Sequence, residues 1–361
     1  MRFAIRTDAS PSIGTGHFVR CLTLADELRL RGAQTCFVSR DPPEFLCDMA
    51  RAGGHEVVAL HTAVADAGSG DLAHSGWLAV SQATDVRETA QALERGAGVW
   101  DWIIVDHYAL DHRWENAMRV CARRLFVIDD LADRYHSCDL LMDQNLHVDM
   151  AFRYGDKIDK RCTLLLGPDY ALLRREFKLR RAALRRRTGV VRRIMIFMGG
   201  VDADNHTGEA IEAVLAAGLR HLPVDVVVGA QNPNREPIAA RCGELGFAFH
   251  LQAANMAELI DAADLGIGAT GSASWERCCL GLPALCLAIA GNQTSIARGL
   301  ESRGAIHWVG RGGRHDAGEL SQALASLVSQ PDRLRAMSAA AAALVDGAGT
   351  ERVCARLFDA T

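Results

Sequence analysis

The sequence predicts an α/β protein made of two Rossmann-like, doubly wound domains that face a cleft. Three observations predict this fold class. The 361 residues exceed what one core of ordinary size holds, so two domains are expected. Apolar runs of strand length alternate with helix-length segments along the chain, which favours parallel sheets. A basic stretch separates two such series, and sheets of this type bind ligands beyond the carboxyl ends of their strands.

Each series supplies six predicted strands. The first half contains them at Phe3–Ile5, Thr35–Val38, Glu56–Ala59, Trp102–Val105, Leu125–Ile128 and Leu140–Met142. The second half contains them at Ile194–Met198, Val224–Val228, Ala248–Leu251, Leu265–Ile267, Ala284–Leu287 and Ile306–Val309. The clearest helices are predicted at His17–Arg31, Asp85–Arg95, Leu334–Val345 and Glu351–Phe358.

The basic stretch is predicted to be a connecting helix. Its charges include Arg174, Arg175 and Lys178, but the apolar residues Leu172 and Phe177 lie among them. That mixture favours an amphipathic linker with snorkelling arginines over a nucleic-acid arm. The expected organisation is an N-terminal domain at 1–170, a basic linker helix at 171–190 and a C-terminal domain at 191–361.

Composition argues against several classes of protein. A hydrophobic content of 49% and a net charge of −4 indicate a soluble globular protein with no nucleic-acid partner. The 11 cysteines include no Cys-x-x-Cys pair, so buried thiols in a reducing cytoplasm are expected. No leader and no apolar stretch of ~18 residues is found, so we expect no membrane partner and a cytoplasmic location. No sustained heptad requires an oligomer, which leaves a monomer as the expectation.

The most informative segment is the Ser12–His17 loop, which follows the first predicted strand and precedes the first predicted helix. A strand, a turn containing Gly14 and Gly16, and a helix form a crevice into which free N–H groups point. His17 stands where that helix begins, and the reference pKa of an imidazole, ~6.5, suits proton transfer near neutral pH. The loop predicts a nucleotide pocket with a base at its edge. The alternative is a tight turn whose histidine only caps the helix or faces solvent.

Three junctions between a strand and a helix in the second half carry polar residues. The first is the turn at Gly199 and Gly200, which lacks a Walker lysine and a Gly-x-Gly-x-x-Gly fingerprint, so NAD is not expected. The second is Gly268–Glu276, which offers helix N–H groups to an anion and ends in a carboxylate suited to a ribose diol. The third contains Asn292 and Gln293. Purely structural turns and a solvated glutamate are the alternatives.

Strand ends in the first half add Val105–Tyr108, Asp129–Asp130 and Asp143–Asn145. This density of His and Asp side chains suits a metal, but no His-x-His or His-Glu-x-x-His spacing supports one. We therefore expect neither a metal nor a cofactor. These groups are instead expected to hydrogen-bond a hydroxyl- or amide-rich sugar and to orient His17.

Motifs spread in order over nearly the whole chain form a further pattern. They are Arg6-x-Asp8, Ile13-Gly14-x-Gly16-His17, Arg20-Cys21-Leu22-x-Leu24-Ala25, Trp77-Leu78, Val105-Asp106-His107-Tyr108, Asp129-Asp130, Tyr170-Ala171-Leu172-Leu173-Arg174, Met198-Gly199-Gly200-Val201-Asp202, Gly271-Ser272, Trp275-Glu276-Arg277 and Gly291-Asn292-Gln293. This pattern resembles the UDP-2,4-diacetamido-2,4,6-trideoxy-β-L-altropyranose hydrolases of pseudaminic acid biosynthesis. That family is similar in fold to the GT-B glycosyltransferase that makes lipid II, so the resemblance implies a GT-B-like fold.

The resemblance also implies how a UDP-sugar binds. Asn255 and Met256 would lie against the uracil, and Glu276 would lie at the ribose. The diphosphate would lie near Thr270, Gly271, Ser272 and the Gly199-Gly200 turn. Further substrate-binding candidates are Asp8, Gly14, Gly16, Arg20, Asp106, Tyr108, Asp130, Asn292 and Gln293.

The reaction that the resemblance implies is hydrolysis of the glycosidic C–O bond with inversion and without a metal. It would release UDP and the free sugar, for glycosylation of flagellin or a surface glycan. His17 is the implied base for the attacking water, and Asp8 is a candidate to orient its ring. UDP leaves as a stabilised anion, so one base suffices where ordinary glycosidases need two carboxylates.

Two alternatives stay open. One is a GT-B glycosyltransferase that uses a UDP-N-acetyl sugar donor, and the other is a non-catalytic UDP-sugar-binding module. The composition of Ala63–Ser75, rich in Gly, Ala and Asp, suggests a mobile lid over the sugar in either enzyme.

Overall fold

A computed structural model describes residues 1–62, 70–94, 98–150, 152–311 and 317–360. Most of the predicted lid, residues 63–69, lies outside the described residues. The chain folds into two compact units. Unit 1 comprises Met1–Asn145, Asp149–Leu172 and Thr350–Thr361, and unit 2 comprises Leu146–Val148 and Leu173–Gly349.

Unit 1 is built on a seven-stranded parallel sheet. Its strands are β1 (Arg2–Thr7), β2 (Gln34–Arg40), β3 (Glu56–Leu60), β4 (Trp100–Asp106), β5 (Ala122–Ile128), β6 (Leu140–Asp143) and β7 (Thr163–Leu166). Its helices are α1 (Gly16–Leu30), α2 (Glu44–Ala52), α3 (Gln82–Leu93), α4 (His112–Met118) and, at the end of the chain, α13 (Gly349–Asp359). The strand order is β3-β2-β1-β4-β5-β6-β7. It reverses between β1 and β4, and such a reversal opens a ligand crevice at the carboxyl ends of the two strands.

The unit 1 sheet is buried on both faces, which explains why its strands are near-continuous apolar runs. Along β4, Trp102 and Ile104 pack into one apolar cluster, while Ile103 and Val105 pack into the cluster on the other face. Helix α13 completes the first cluster, and the indole N–H of Trp102 donates to the carbonyl of Leu357 at 3.1 Å.

Unit 2 is built on a six-stranded parallel sheet of order β10-β9-β8-β11-β12-β13. Its strands are β8 (Ile194–Phe197), β9 (Val224–Val228), β10 (Ala248–Leu251), β11 (Leu265–Ala269), β12 (Ala284–Ala288) and β13 (Ile306–Arg311). Its helices are α5 (Arg175–Arg181), α6 (His206–Ala216), α7 (Arg235–Leu245), α8 (Met256–Ala262), α9 (Ala273–Cys279), α10 (Gln293–Ser302), α11 (Ala317–Val328) and α12 (Pro331–Leu344). The order reverses between β8 and β11, so this sheet has the same kind of switch point.

All twelve predicted strands are present, and two parallel-sheet α/β units confirm the predicted fold class. The structure adds β7, which the sequence analysis did not predict. Among the described residues, no helix combines the length and the apolar character that crossing a bilayer requires.

The linker differs from its prediction. A helix at 171–190 was expected, but α5 covers only Arg175–Arg181. The cause is Arg187, which is buried and donates to the carbonyls of Ile260, Ala263 and Leu280, so the chain before it must leave the helix to reach them. The structure also places the end of the chain, from Thr350 on, in unit 1 and not in the predicted C-terminal domain.

Candidate functional site

One group of functional residues lies at the carboxyl ends of β1 and β4 in unit 1. The loop after β1 turns back on itself, because the backbone N–H of Gly14 donates to the carbonyl of Ser10 at 2.7 Å. Gly14 has a φ of +79°, a left-handed conformation that favours glycine. The turn delivers His17 as the second residue of α1, with 8% of the residue exposed. This histidine is therefore held in the protein and does not simply face solvent.

His17 is paired with a buried carboxylate. Asp106 is the last residue of β4 and lies opposite Thr7 of β1 in the parallel register. Its Oδ1 is 2.6 Å from Nδ1 of His17. Arg20, one turn along α1, donates from Nε to Oδ2 at 2.5 Å and from Nη2 to Oδ1 at 2.6 Å.

The ionisation state of Asp106 determines which nitrogen of His17 carries a proton. Burial on its own raises the pKa of Asp106, but Arg20 and His17 hold that pKa well below its usual range. Nη2 of Arg20 also lies 3.1 Å from Nδ1 of His17, but it donates to Oδ1 of Asp106 at 2.6 Å. An ionised carboxylate only accepts hydrogen bonds, so the 2.6 Å contact with Asp106 favours the tautomer that carries its proton on Nδ1. The lone pair is then on Nε2, which is the nitrogen that can take a proton from a substrate.

An aromatic cluster stands beside His17. The ring of Tyr108 meets the imidazole edge-on with 4.6 Å between ring centroids, and it stacks on Trp77 at 5.3 Å. His74 lies 4.6 Å from the Trp77 ring. Ala79 follows this segment with a φ of +60°, a strained conformation for a residue with a Cβ. The cluster gives His17 an aromatic wall of the kind that lines ligand sites.

The carboxylate of Asp130 links the aromatic cluster to the His17–Asp106 pair through hydrogen bonds. The hydroxyl of Tyr108 donates to Asp130, which also accepts from Nη1 of Arg20 at 3.2 Å and from Nδ2 of Asn145 at 3.0 Å. Burial, reinforced by Asp130, raises the pKa of Tyr108 well above its usual value, so the phenol stays protonated. Four residues predicted from the strand ends of unit 1 thus belong to one network around His17: Asp106, Tyr108, Asp130 and Asn145.

Asp8 takes a different place from the one expected. Its carboxylate pairs with Arg6, lies 3.2 Å from Nε2 of His107 and accepts from the backbone N–H of Arg40 at 2.6 Å. The expectation that Asp8 orients the His17 ring is therefore wrong, since Asp106 holds that position. Asp106 was among the strand-end residues also expected to orient His17, and the sheet brings it there by placing β4 beside β1.

The buried carboxylates of unit 1 predict a loss of stability in acid. Burial alone raises the pKa of Asp106 and Asp129, but Arg20 and Arg134 respectively hold both pKa values well below the usual range. In the unfolded chain these groups titrate near pH ~3.9, so below that pH the unfolded state binds protons that the folded state does not. We expect the free energy of unfolding to fall progressively as the pH drops through about 4. Urea titrations followed by tryptophan fluorescence between pH 7 and pH 3 measure it.

A matched pair of variants sharpens that measurement. Asp129→Asn should lower the stability at pH 7 and flatten its pH dependence, because the titrating group is gone. Asp156→Asn, at a side chain that is 84% exposed, should reproduce the wild-type curve. A wild-type stability that stays constant from pH 5 to pH 3 would contradict the assignment.

In unit 2, the turn after β8 contains Gly199 with a φ of +98°, followed by Gly200. The carboxylate of Asp202 accepts from the backbone N–H of His206 at 2.9 Å and from the backbone N–H of Thr207 at 2.9 Å. The N–H groups that open α6 are therefore already satisfied within the protein. The glycine turn itself remains as the part of this junction that an anion can approach.

The turns after β11 and β12 in unit 2 are linked to each other by hydrogen bonds. The hydroxyl of Thr270 lies 3.3 Å from the carbonyls of both Leu287 and Gln293. The side-chain oxygen of Gln293 accepts from the backbone N–H of Ile289 at 3.0 Å. A Cβ on Gly271 would lie 3.5 Å from the amide nitrogen of Gln293, so the turns after β11 and β12 are neighbours. The structure thus brings together the predicted residues of these two turns.

The other predicted residues of unit 2 lie at helix starts. Ser272, Asn255 and Asn292 are exposed and immediately precede α9, α8 and α10. Met256 is buried as the first residue of α8. Glu276 lies in the first turn of α9, and burial raises the pKa of its carboxyl.

Two residues join these groups without having been given a role from the sequence. His74 lies in no motif with a chemical signature, whereas Arg174 ends one of the motifs of the resemblance. The guanidinium of Arg174 lies 3.7 Å from Glu276. Within the described ranges, no group of three or more His, Cys, Asp or Glu side chains is arranged to hold a metal ion.

Two curated proteins are similar to this chain over part of their own length. Uncharacterized protein MJ1062 of Methanocaldococcus jannaschii is 23% identical over 296 residues, which cover 80% of this chain and 55% of that protein. Spore coat polysaccharide biosynthesis protein SpsG of Bacillus subtilis is 28% identical over 199 residues, which cover 54% of this chain and 57% of that protein. The chain thus spans just over half the length of the curated relatives it matches. No protein-family profile matches the chain.

Solved glycosyltransferase structures match nearly the whole chain. MurG of Acinetobacter baumannii has a TM-score of 0.62 at 13% identity, covering 99% of this chain and 100% of that one. The kitacinnamycin glycosyltransferase has a TM-score of 0.66 at 15% identity, covering 99% and 98%. UGT89C1 of Arabidopsis thaliana in complex with UDP has a TM-score of 0.65 at 13% identity, covering 99% of each chain. At these identities the likeness shows the fold, which is that of the GT-B glycosyltransferases.

Proposed function

We propose that this protein hydrolyses UDP-2,4-diacetamido-2,4,6-trideoxy-β-L-altropyranose to UDP and the free sugar, with inversion, in pseudaminic acid biosynthesis. The observation that supports base catalysis is the 2.6 Å contact between Nδ1 of His17 and Oδ1 of Asp106, and the choice of sugar and of hydrolysis rests on the motifs that resemble the hydrolase family. A carboxylate on one nitrogen of an imidazole fixes the tautomer and stabilises the imidazolium, which is how a histidine serves as a general base.

In this mechanism His17 removes a proton from water through Nε2 as the water attacks the anomeric carbon. The C–O bond to the β-phosphate breaks, and its electron pair leaves with UDP. Asp106 stabilises the imidazolium, and Arg20 holds Asp106 by two hydrogen bonds. The Asp130-bound hydroxyl of Tyr108 stays protonated and offers a fixed polar group to the sugar.

UDP does not have to be protonated by a general acid as it leaves. The negative charge that develops on the leaving oxygen is shared by the β-phosphate, which is stable as an anion. We assign the nucleotide to unit 2. The uracil is assigned to Asn255 and Met256, the ribose to Glu276, and the diphosphate to the glycine turn and the Thr270–Ser272 turn. The switch point of the unit 2 sheet supports this assignment, since doubly wound sheets bind nucleotides there.

A GT-B glycosyltransferase that transfers an N-acetyl sugar from UDP is the second candidate. The match to glycosyltransferase structures over 99% of the chain favours it. Transfer requires an acceptor, whereas hydrolysis requires only water. A UDP-sugar-binding module without catalysis is the third candidate.

One incubation separates the three. The protein is mixed with the UDP-diacetamido sugar alone, and the products are followed by NMR. A hydrolase releases stoichiometric UDP and free sugar over many turnovers, and the free sugar first appears as the inverted anomer. UDP release that needs an added acceptor would favour the transferase, and binding without any release would favour the module.

The glycine turn gives a further prediction. A Cβ on Gly229, at the end of β9, would lie 2.0 Å from the carbonyl oxygen of Gly200, so Gly229→Ala must push the turn out of place. We expect this variant to lower the thermal midpoint and to weaken UDP binding by about tenfold, because small displacements of a binding turn are costly. Calorimetric titration with UDP measures the affinity.

The control is Gly243→Ala in α7, where a Cβ would meet nothing within 4 Å. It should bind UDP as the wild type does. An unchanged UDP affinity in the folded Gly229→Ala protein would remove the glycine turn from the nucleotide site.

A further inference from the structure

Arg174 stands at the centre of a small charged cluster in unit 2. It directly precedes α5, and its side chain is 32% exposed. Its Nη2 lies 3.0 Å from Oε1 of Glu176 and 3.7 Å from Oε1 of Glu276. Its Nη1 donates to the carbonyl of Ala254 at 3.5 Å. One guanidinium therefore links the start of α5, the segment before α8 and the first turn of α9.

These contacts join two segments to which the proposed function gives different parts of the nucleotide. Ala254 directly precedes Asn255, which is assigned to the uracil, and Glu276 is assigned to the ribose. Side-chain packing also fixes the guanidinium, which lies over the ring of Phe177 at 5.6 Å from its centroid. An arginine held on three sides is suited to positioning its partners, since its planar fork loses little freedom in each hydrogen bond.

Two other charged groups face Glu276, and of these Arg277, like Arg174, lowers the pKa of its carboxyl. Glu176, from α5, has the same sign and opposes ionisation of Glu276. Arg277, next to Glu276 on α9, is buried and donates from Nη2 to the carbonyl of Ala269 at 2.7 Å and to the hydroxyl of Ser274 at 3.0 Å. Arg174 is thus the guanidinium that both contacts Glu276 and reaches the neighbouring segment.

We infer that Arg174 is a positioning residue for the nucleoside half of UDP, which orders Glu276 and the Ala254–Asn255 backbone before the ligand arrives. The inference rests on the proposed function in that it takes unit 2 as the nucleotide site. A ribose diol donates its hydrogen bonds best to an ionised carboxylate. Burial raises the pKa of Glu276, and Arg174 acts against that rise.

The pH dependence of UDP binding follows from this arrangement. As the pH falls, Glu276 takes up a proton and loses its strength as an acceptor, so the affinity for UDP falls. Without Arg174 the pKa of Glu276 rises further, so the loss of affinity begins at a higher pH. A merely structural arginine would change the stability of the protein without moving this profile.

The test is calorimetric titration of the full chain with UDP between pH 5.5 and pH 8. We expect Arg174→Met to weaken binding by about tenfold at neutral pH and to shift the fall in affinity to higher pH. Arg174→Lys, which keeps the charge, should retain the wild-type profile at a somewhat lower affinity. The control is Arg180→Met on α5, the helix that Arg174 precedes. The guanidinium of Arg180 lies 3.6 Å from Asp261, and the variant should match the wild type.

An Arg174→Met protein with the wild-type affinity and pH profile would overturn the inference. If that variant does not fold, as judged by circular dichroism, Arg174→Gln carries the same expectation. Glu276→Gln separates the two proposals. If it weakens UDP binding and Arg174→Met does not, only the inference on Arg174 fails. If the wild type binds UDP with the expected dependence on Arg174 and yet hydrolyses no UDP-sugar, only the proposed reaction fails.

Discussion

Replacing His17 with alanine is expected to lower the rate of UDP release by about 10²–10⁴-fold and to leave the affinity for UDP unchanged. The imidazole supplies the proton acceptor for water, whereas the nucleotide is assigned to unit 2. His17 makes polar contacts with Asp106 and Arg20, both in unit 1, so the loss is expected to fall on the chemical step. Steady-state release of UDP gives the rate, and calorimetric titration gives the affinity.

The control for this variant is His221→Ala, at an exposed histidine of unit 2. It should release UDP at the wild-type rate. A His17→Ala protein that binds UDP and still turns over at the rate of this control would eliminate the imidazole as the base.

Asp106→Asn is expected to cost as much as removal of the histidine, about 10²–10⁴-fold in kcat. An amide cannot stabilise the imidazolium by charge, and its NH₂ group favours the wrong tautomer of His17. Arg20 also loses the charge of the carboxylate to which it donates two hydrogen bonds, although it keeps Asp130 as an anionic partner, so we expect the stability to fall by about 1–3 kcal/mol. The rate is therefore measured on protein whose folding has been verified at the assay temperature.

The matched control is Asp48→Asn, since the side chain of Asp48 is 68% exposed on α2. Its kcat and its stability should both equal the wild-type values. If Asp106→Asn is folded and retains the wild-type kcat, the imidazole acts without its carboxylate and the proposed mechanism loses its orienting group.

The sequence predicted the strands well because a parallel sheet covered on both faces needs apolar residues at every position. Strand β7 was missed because its four residues, Thr163–Leu166, form a short edge strand that is only partly buried. The linker helix was overestimated because the pattern of Arg and Leu residues is compatible with a helix. That pattern does not indicate that Arg187 donates hydrogen bonds to carbonyls of distant segments.

Sequence patterns could predict the candidate site only in part, because they show a local turn but not which distant strands lie side by side. A glycine turn between a strand and a helix is a local signal, so His17 was identified from the residues beside it. Its partner Asp106 is 89 positions away in the chain, and the pairing exists because β4 lies next to β1. The strand-end residues, Asp106 among them, were expected to orient His17, but the sequence could not say which one does so, and the other candidate, Asp8, is paired with Arg6. The aromatic wall joins His74 and Trp77 to Tyr108, which is distant in the chain, so no local pattern predicts it.

The most direct test of the mechanism follows the oxygen of water into the products. The wild-type protein is incubated with the UDP-diacetamido sugar alone in ¹⁸O-enriched water, and the UDP is analysed by mass spectrometry. Attack at the anomeric carbon predicts rapid release of UDP that contains no ¹⁸O, because the bridging oxygen stays with the phosphate. Nucleotide product that carries ¹⁸O in a phosphate group, or no release of UDP at all, would contradict activation of water at the sugar carbon.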